Sequence, residues 1–385
     1  MPTIRPYKII DDEYVDQTSY TIDLELPTSG ILSTLMLTVK ARTETTGVCP
    51  SPWLKYLISS VSVNQAGQAF LNAAPPEAFQ TDMYYKTGKM ARRGMTHGVV
   101  SPRSEITEQV PILFGEHIND LEHTVDLSRM NDPKLSITYD LEATGPTGET
   151  VWDTDYKPRF TVVAHLIQGT GIPASKGYHS LRQIESYNPT NSQVKKLELK
   201  GARPIKRLYC AHDMDNPYYG FIHSLDQARL YGDNEAWVPF LMKCDDWQDL
   251  IRDIYGLCEV KADVYYIMGG YVVDSCVDRR VYMKGALPDD KEHRLIMYGG
   301  SGRTTMTEII KHDGTAPAPV LHGRYNFAGI CPWSTQVIDF KKMLGMEHLD
   351  PREHAPVYLE LTHTSSATDR GNPVNIYIED LATTY

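Results

Sequence analysis

The sequence predicts an all-β protein in which a β-sandwich of the jelly-roll type occurs twice, with a short helix in each copy. Three observations lead to this prediction. Short segments of alternating apolar and polar residues, such as 20–26 and 134–142, are separated by turn residues. The chain shows no alternation of strand, long helix and strand. The lack of this alternation disfavours a parallel sheet. One combination of strand, turn, aromatic residue and helix occurs in both halves of the chain.

The repeated stretch covers residues 58–88 and 222–256. Each copy begins with an apolar strand and a polar turn, followed by an aromatic residue and a short amphipathic helix that ends at a glycine. Phe79 and Trp247 are 168 residues apart, and the closing glycines, Gly88 and Gly256, have the same separation. A glycine at this place suits the left-handed conformation that follows many helices.

Other segments repeat in the same order along the chain. Their shared feature is a similar pattern of apolar residues, and the pairs are 27–37 with 189–199, 125–130 with 338–343, and 158–166 with 373–381. In the first pair, Leu35 and Leu37 correspond to Leu197 and Leu199. Two copies with so long a period indicate tandem domains rather than a solenoid.

The length of 385 residues suits two domains. The predicted parts are an N-terminal arm (1–15), a first jelly roll (16–170), a linker (171–185) and a second jelly roll (186–385). The copies differ after the helix, where the second contains a much longer segment, 257–336. A long insertion of this kind is typically a surface feature that carries function.

The formal charge of −11, from 38 basic and 49 acidic residues, disfavours direct binding to nucleic acid or to an anionic membrane. No apolar run approaches the roughly 20 residues of a membrane span. The start of the chain lacks the apolar core of a signal peptide, so an intracellular product is expected. The six cysteines form no C-x-x-C motif, which favours reduced thiols.

No residue is assigned to a catalytic, cofactor-binding or metal-binding role. Asp213, Asp215 and Asn216 resemble the start of a calcium loop, but Tyr218 replaces the glycine and Ser224 the glutamate that such a loop requires. The glycine-rich run 299–303 lacks the lysine of a phosphate-binding loop. The 13 histidines include no H-E-x-x-H motif.

Segments 57–88, 221–256, 125–142 and 338–361 carry a resemblance to a viral family. Their pattern resembles the double jelly-roll major capsid proteins of the tectivirus- and adenovirus-like lineage of icosahedral DNA viruses. The resemblance implies a structural protein and not an enzyme. It implies homotrimers that form pseudo-hexagonal capsomers and tile an icosahedral shell, with segment 257–336 as an outer tower and the N-terminal arm on the inner side.

The same resemblance implies the partners and the location of the protein. The partners would be neighbouring capsomers, minor capsid, penton or spike proteins, and an internal membrane reached through other proteins, without sequence-specific contact to nucleic acid. The protein would reside in the virion after assembly in the host cytoplasm. Aromatic residues suit contacts between subunits and ordinary core or surface positions alike. Both interpretations stay open for the residues considered for subunit contacts, which are Tyr84, Tyr85, Tyr218, Tyr219, Tyr265, Tyr266 and Trp333.

Two alternatives belong to other classes of protein. A carbohydrate- or receptor-binding double sandwich would use exposed tryptophans, of which the chain has five: Trp53, Trp152, Trp237, Trp247 and Trp333. Because Trp237 and Trp247 lie inside the repeated stretch, core packing is the better interpretation of these two. A deglycosylating hydrolase with two adjacent jelly rolls would use carboxylates at the domain interface.

Overall fold

A computed structural model describes most of the chain. The described residues are 2–14, 16–42, 54–65, 68–91, 93–95, 105–144, 152–201, 203–212, 224–267, 271–273, 277–278, 283–285, 303–311, 320–365, 367 and 373–382. For residues 55, 68–73 and 93–95, and for the described residues within 259–328, the backbone alone is described.

The first half of the chain forms two antiparallel sheets. Its strands are β1 (Thr3–Tyr14), β2 (Ser19–Glu25), β3 (Ile31–Arg42), β4 (Ile58–Gln65), β5 (Gln68–Ala74), β6 (Arg93–Met95), β7 (Glu105–Leu113), β8 (Val125–Asp126), β9 (Pro133–Asp140) and β10 (Arg159–Gln168). One sheet has the order β1-β10-β3-β7-β6, with β8 also paired to β3, and the other has the order β2-β9-β4-β5. The two sheets share one buried core, as in a β-sandwich.

The second half repeats this arrangement. Its strands are β11 (Tyr178–Tyr187), β12 (Val194–Glu198), β13 (Ile205–His212), β14 (Leu225–Gly232), β15 (Trp237–Lys243), β16 (Cys258–Ile267), β17 (Tyr271–Val273), β18 (Val277–Asp278), β19 (Met283–Gly285), β20 (Arg303–Lys311), β21 (Val320–Pro332), β22 (Thr335–Asp339), β23 (Tyr358–His363) and β24 (Val374–Ala382). The sheets β11-β24-β13-β22 and β12-β23-β14-β15 reproduce the strand order of the first half. The chain is therefore a tandem pair of jelly rolls, as predicted.

The alternation of residues along the strands explains why they form sandwiches. In β3, Leu35, Leu37 and Val39 are fully buried. Met36 and Thr38, which lie between them, are half-buried on the opposite face of the sheet. The same pattern along β9 buries every second side chain, so each sheet presents one apolar face to the core.

A helix follows the fifth strand of each jelly roll: α1 (Pro76–Thr87) and α2 (Cys244–Tyr255). Both end at the predicted glycines, Gly88 and Gly256, whose φ angles are 71° and 75°. As predicted, α2 is amphipathic and buries one stripe of side chains. Helix α1 differs, because residues 78–85 are buried all round where both jelly rolls cover the helix.

The polar start of the chain belongs to the first jelly roll. Residues 1–15 are predicted as an arm, whereas Thr3–Tyr14 forms strand β1, which pairs with β10 from Thr3–Gln168 to Tyr14–Arg159. An edge strand has one strand neighbour and much exposed surface, so its composition stays polar. Strand β11 likewise begins inside the predicted linker 171–185, so the connection between the jelly rolls is limited to 169–177.

One of the repeated segments was matched to the wrong strand. Leu35 and Leu37 lie in β3, the third strand of the first jelly roll, whereas Leu197 lies in β12, the second strand of the other. The equivalent of β3 is β13, which has the same strand neighbours. Leucines two residues apart occur in any half-buried strand, so this pattern does not identify one strand among several.

The insertion 257–336 has sheets of its own. Strands β16, β18, β20 and β21 form one of them, and β17 pairs with β19 in another. The insertion begins immediately after α2 and ends in the sixth sandwich strand, β22. A third short helix, α3 (Phe340–Leu344), follows β22 and ends at Gly345.

Candidate functional site

The two jelly rolls meet at a junction that α1 and the loop 114–124 form with the outer face of the sheet β11-β24-β13-β22. Strand β5 of the first jelly roll lies beside β11 of the second. Tyr85 on α1 donates a hydrogen bond from its hydroxyl group to the carbonyl oxygen of Thr335 at 2.6 Å. Tyr209 on β13 donates to Asp82 Oδ1 on α1 at 2.7 Å. The junction is therefore a specific polar interface inside one chain.

A buried lysine lies at the centre of the junction. Lys86 Nζ is 2.7 Å from Asp82 Oδ2, one helical turn earlier, and 2.7 Å from Glu379 Oε1 on β24. The side chains of Lys86 and Glu379 are completely buried. Glu379 also forms a hydrogen bond with Nδ1 of His179 on β11. A charge so far from water must be paired, and here one of the two partners, Glu379, comes from the other jelly roll.

Arg207 on β13 connects three carboxylates. Its Nε donates to Asp339 Oδ2 at 2.8 Å, Nη1 to Glu379 Oε2 at 2.6 Å, and Nη2 to Glu116 Oε2 at 2.7 Å. Glu116 belongs to the loop of the first jelly roll, whereas Asp339 and Glu379 belong to the second. The planar guanidinium with its fixed donors suits such a three-way contact, which a lysine would not reproduce.

The charges of this network shift the pKa values of its acids in different directions. Burial raises the pKa of Asp82 to about 6, and the nearby Lys86 charge offsets only part of this effect. Burial also acts on Glu116, but the charge of Arg207 outweighs it and lowers the pKa to about 2. For Glu379, burial is outweighed by Lys86 and Arg207, so its pKa lies well below the usual range. Glu116 and Glu379 are therefore ionised at neutral pH.

Asp120 gives the loop 114–124 its shape. Its carboxylate accepts hydrogen bonds from the backbone N–H groups of Glu116 at 2.9 Å, Glu122 at 2.8 Å and His123 at 3.2 Å. Burial acts to raise the pKa of Asp120, but the contacts with His123 and the backbone N–H groups lower it overall. This arrangement holds Glu116 towards Arg207.

Replacing Gly115 by alanine is expected to destabilise the protein by about 1–3 kcal/mol. A Cβ atom at this position would lie 2.4 Å from Oδ2 and 2.5 Å from Cβ of Asp120, whose side chain is held by its hydrogen bonds. The change is measured by urea unfolding. The matched control is Gly201→Ala, where the nearest atom to the new Cβ is 3.5 Å away. Equal stability of both variants would contradict this role of the loop.

The junction also accounts for some residues considered for subunit contacts. Tyr84 and Tyr85 are buried inside the chain. Trp333 Nε1 donates to Gln80 Oε1 on α1 at 2.9 Å. Tyr218 and Tyr219 lie outside the described residues, and Tyr265 and Tyr266 are on β16, where the backbone alone is described. Tyr84, Tyr85 and Trp333 thus join the two jelly rolls of one chain.

The tryptophans considered for sugar stacking are mostly in the core. Trp152 and Trp247 are fully buried, and Trp247 donates to the carbonyl oxygen of Val337 at 2.8 Å. Trp237 is half-buried and stacks on His354 with ring centroids 4.0 Å apart. Trp53 lies outside the described residues. Core packing therefore explains Trp247 and much of the surface of Trp237.

The residues considered for metal and phosphate lie largely outside the described part of the chain, namely Asp213, Asp215, Asn216 and the run 299–303. Among the described residues, no group of three or more His, Cys, Asp or Glu side chains is arranged to hold a metal ion. Within the same part of the chain, no helix has the length and hydropathy that a membrane span requires.

The residues of the ionic network were missed by the sequence analysis. Lys86, Arg207 and Glu379 have a signal in the sequence, because each lies in an element whose neighbouring residues are largely apolar or aromatic. A charge in such a segment indicates a buried pair. The identity of the partner, however, depends on contacts between residues such as Arg207 and Glu379, which are 172 positions apart.

Comparison with known proteins gives matches in structure alone. No protein-family model and no curated protein matches the sequence. The crystal structure of the STIV MCP, from Sulfolobus Turreted Icosahedral Virus, is similar with a TM-score of 0.60 at 11% identity, covering 99% of this chain and 96% of that one. VP54 of the virus PBCV-1 gives 0.57 at 10% identity, with coverages of 99% and 93%.

A third similar structure is the major capsid protein P2 from Bacteriophage PM2. Its TM-score is 0.51 at 9% identity, and the match covers 100% of this chain and 98% of that one. These proteins are viral major capsid proteins with the double jelly-roll fold. At such low identity the likeness establishes the fold of this chain, over essentially its whole length.

Proposed function

We propose that this chain is a major capsid protein that trimerises into pseudo-hexagonal capsomers and tiles an icosahedral virus shell. The observation that carries the proposal is the tandem pair of jelly rolls with one strand order, joined by the contacts of Lys86 with Glu379 and of Arg207 with Glu116. Likeness in fold to viral major capsid proteins supports it. The proposed role is structural and not catalytic.

The geometry suits a tile. Three chains with two similar jelly rolls each supply six similar units, so a threefold oligomer fits a lattice of hexagonal symmetry. Such a tile must keep a fixed angle between its two jelly rolls, because a flexible hinge would misalign the contacts that its edges make with neighbouring subunits. The fully buried ion pair of Lys86 and Glu379 crosses the junction and opposes hinge motion, since opening would expose or separate its charges.

The topology suggests an orientation in the shell. The connection 169–177 and the start of β1 lie at one end of the sheets, where Thr3 pairs with Gln168. The connections that hold α1, α2 and the insertion leave the opposite end, because successive strands run antiparallel. We assign the insertion to an outer tower and the other end to the inner side of the shell.

Further partners follow from this placement. Neighbouring capsomers would bind at the sides of the tile, and penton or spike proteins would bind at gaps in the lattice. Minor capsid proteins, and through them an internal membrane, would lie below it. The protein would be located in the virion after assembly in the host cytoplasm, without direct sequence-specific contact to nucleic acid.

The test is the mass of the purified protein in solution, measured by light scattering behind a sizing column. One chain has a mass of 43.5 kDa, so a trimer has three times this mass, 130.5 kDa. We expect the trimer, with a hexagonal outline in negative-stain images of the same peak. A monomer that does not assemble at any concentration would contradict the proposal, and a glycan screen would then test the carbohydrate-binding alternative.

A further inference from the structure

A cavity opens beside the junction, at the end of the sheets where the connection 169–177 lies. Its volume is about 450 Å³, which falls in the range of sites for small molecules. The loop 114–124, the connection, the adjoining ends of β13 and β22, and residues 341–347 contribute side chains to its lining. Arg207, Glu116 and Asp339 form one wall, and the other lining residues have no role in the function proposed above.

The lining of the cavity is more basic than the chain as a whole. The chain has a formal charge of −11, whereas five basic and four acidic side chains line the cavity together with His123, which leaves one surplus positive charge. Cations concentrated in a concave site of an acidic protein indicate a ligand that is an anion. The basic residues are Lys176, Lys206, Arg207, Lys341 and Lys342.

We infer that this cavity binds a small soluble compound that carries several phosphate groups. Lysine ammonium groups bind phosphate oxygens through charge-assisted hydrogen bonds, and the four lysines of the lining could contact more than one phosphate group. The cavity is also much larger than a single phosphate ion. This inference goes beyond the proposed function and does not depend on it.

Lys342 is the lysine that most lacks an anion. Its side chain is exposed overall, but the ammonium group turns inward, where Nζ donates to the carbonyl oxygen of Tyr85 at 3.1 Å and lies 4.4 Å from the centre of the Tyr255 ring. Neither partner carries a full negative charge. Burial of the ammonium group and the nearby charge of Arg207 lower the pKa of Lys342. A bound anion would supply the charge that this lysine does not find in its surroundings.

Two other lysines can turn towards a ligand at little cost. Lys176 pairs with Glu122 at 2.7 Å, and the two side chains are 62% and 57% exposed. Lys341 pairs with Glu347 at 2.8 Å, with exposures of 64% and 66%. Ion pairs so open to water contribute little to stability. A phosphate group can therefore replace either carboxylate as the partner of its lysine.

The acidic residues of the lining favour a small ligand over a lipid surface. Arg207 donates to both Glu116 and Asp339, so their charges in the inner wall are compensated. Glu122 and Glu347 are exposed at the rim, where they would repel an anionic bilayer that covered the opening. A small soluble compound can pass between them and reach Lys342.

A ligand in the cavity would connect segments on both sides of the junction. The backbone N–H of Lys176 donates to the carbonyl oxygen of Glu122 in the loop of the first jelly roll, whereas Lys342 belongs to α3 of the second. A ligand that binds the folded chain alone stabilises it by an amount that rises with the logarithm of its concentration. Binding would therefore add to the contacts that hold the two jelly rolls together.

The first test is calorimetric titration of the full chain with inorganic tripolyphosphate at low ionic strength, where screening by salt is weak. Replacing Lys342 by methionine is expected to raise the dissociation constant at least about tenfold. The matched control is Lys200→Met, which changes the net charge equally but removes a lysine that is 78% exposed and does not line the cavity. An equal loss in both variants would show non-specific attraction and would overturn the site.

A variant that strengthens binding keeps the test independent of folding defects. Glu347→Gln removes the carboxylate that competes with the ligand for Lys341, so the dissociation constant should fall. The control is Glu198→Gln, which removes the partner of Lys200 outside the cavity and should have a smaller effect. Equal effects of the two glutamine variants would contradict the assignment. Circular dichroism verifies that all four variants are folded.

The source of the phosphate groups is tested with vesicles that contain phosphatidic acid. The wild type should bind tripolyphosphate and should not sediment with the vesicles. Sedimentation that depends on Lys342, without binding of tripolyphosphate, would overturn the choice of a small soluble ligand, and binding to neither probe would overturn the site. A trimer that binds no tripolyphosphate would leave the proposed function standing, whereas a monomer that binds it would overturn the proposed function alone.

Discussion

Replacing Arg207 by methionine is expected to lower the free energy of unfolding by about 3–5 kcal/mol. The guanidinium compensates Asp339 and Glu379, both of which are almost completely buried, and the more exposed Glu116. Methionine fills a similar space without charge, so the buried carboxylates lose their partner while the packing changes little. Urea unfolding, monitored by tryptophan fluorescence, measures the change.

Two further variants control this prediction. Arg352→Met removes an arginine that is 61% exposed and paired only locally with Asp350, so its expected cost is about 0–1 kcal/mol. Adding Glu379→Gln to Arg207→Met should recover part of the loss, because the most deeply buried charge is removed together with its partner. If Arg207→Met were as stable as Arg352→Met, the junction would not depend on this network.

Replacing Lys86 by methionine is expected to cost about 3–5 kcal/mol at pH 8 and about 1–2 kcal/mol less at pH 5. The pKa of Asp82 is about 6 in the folded chain, above its usual value of 3.8. A carboxyl group with a raised pKa destabilises the folded state when ionised, and this cost declines as the pH falls from about 6 towards 3.8. Without Lys86 the pKa of Asp82 rises further. The variant therefore takes up a proton at Asp82, and loses the cost of the buried charge, at a higher pH than the wild type does.

The pH dependence has its own controls. The double variant Asp82→Asn with Lys86→Met lacks the titrating group and should show a smaller difference between pH 5 and pH 8. Lys8→Met removes a lysine from an exposed pair with Asp11 and should cost at most about 1 kcal/mol at either pH. An equal loss for Lys86→Met at both pH values would show that Asp82 does not take up a proton in its place.

The strands and helix ends were largely predictable because they depend on local chemistry. Alternation along β3 and β9 records which side chains face the core, and this can be read without knowing the partner strands. Gly88 and Gly256 mark helix ends because the backbone there has a positive φ angle, which favours glycine. Strand β1 was missed because an edge strand with polar residues resembles an extended arm.

The candidate site was not predictable to the same degree. For the aromatic residues Tyr84, Tyr85 and Trp333 the sequence left contacts between subunits and ordinary packing equally open, and they lie where the two jelly rolls of one chain meet. Their composition is equally suitable for both kinds of contact, since buried aromatics dominate domain and subunit interfaces alike.

The sequence by itself determined the fold class, the duplication and the positions of most strands, because hydrophobic periodicity and turn residues act over short distances along the chain. The tertiary structure decided which charges meet. Lys86, Arg207 and Glu379 lie on three elements that are far apart in sequence, and their attraction arises only when folding removes them together from water. It also decided that residues 78–85 of α1 are buried all round, whereas α2 buries only one stripe of side chains.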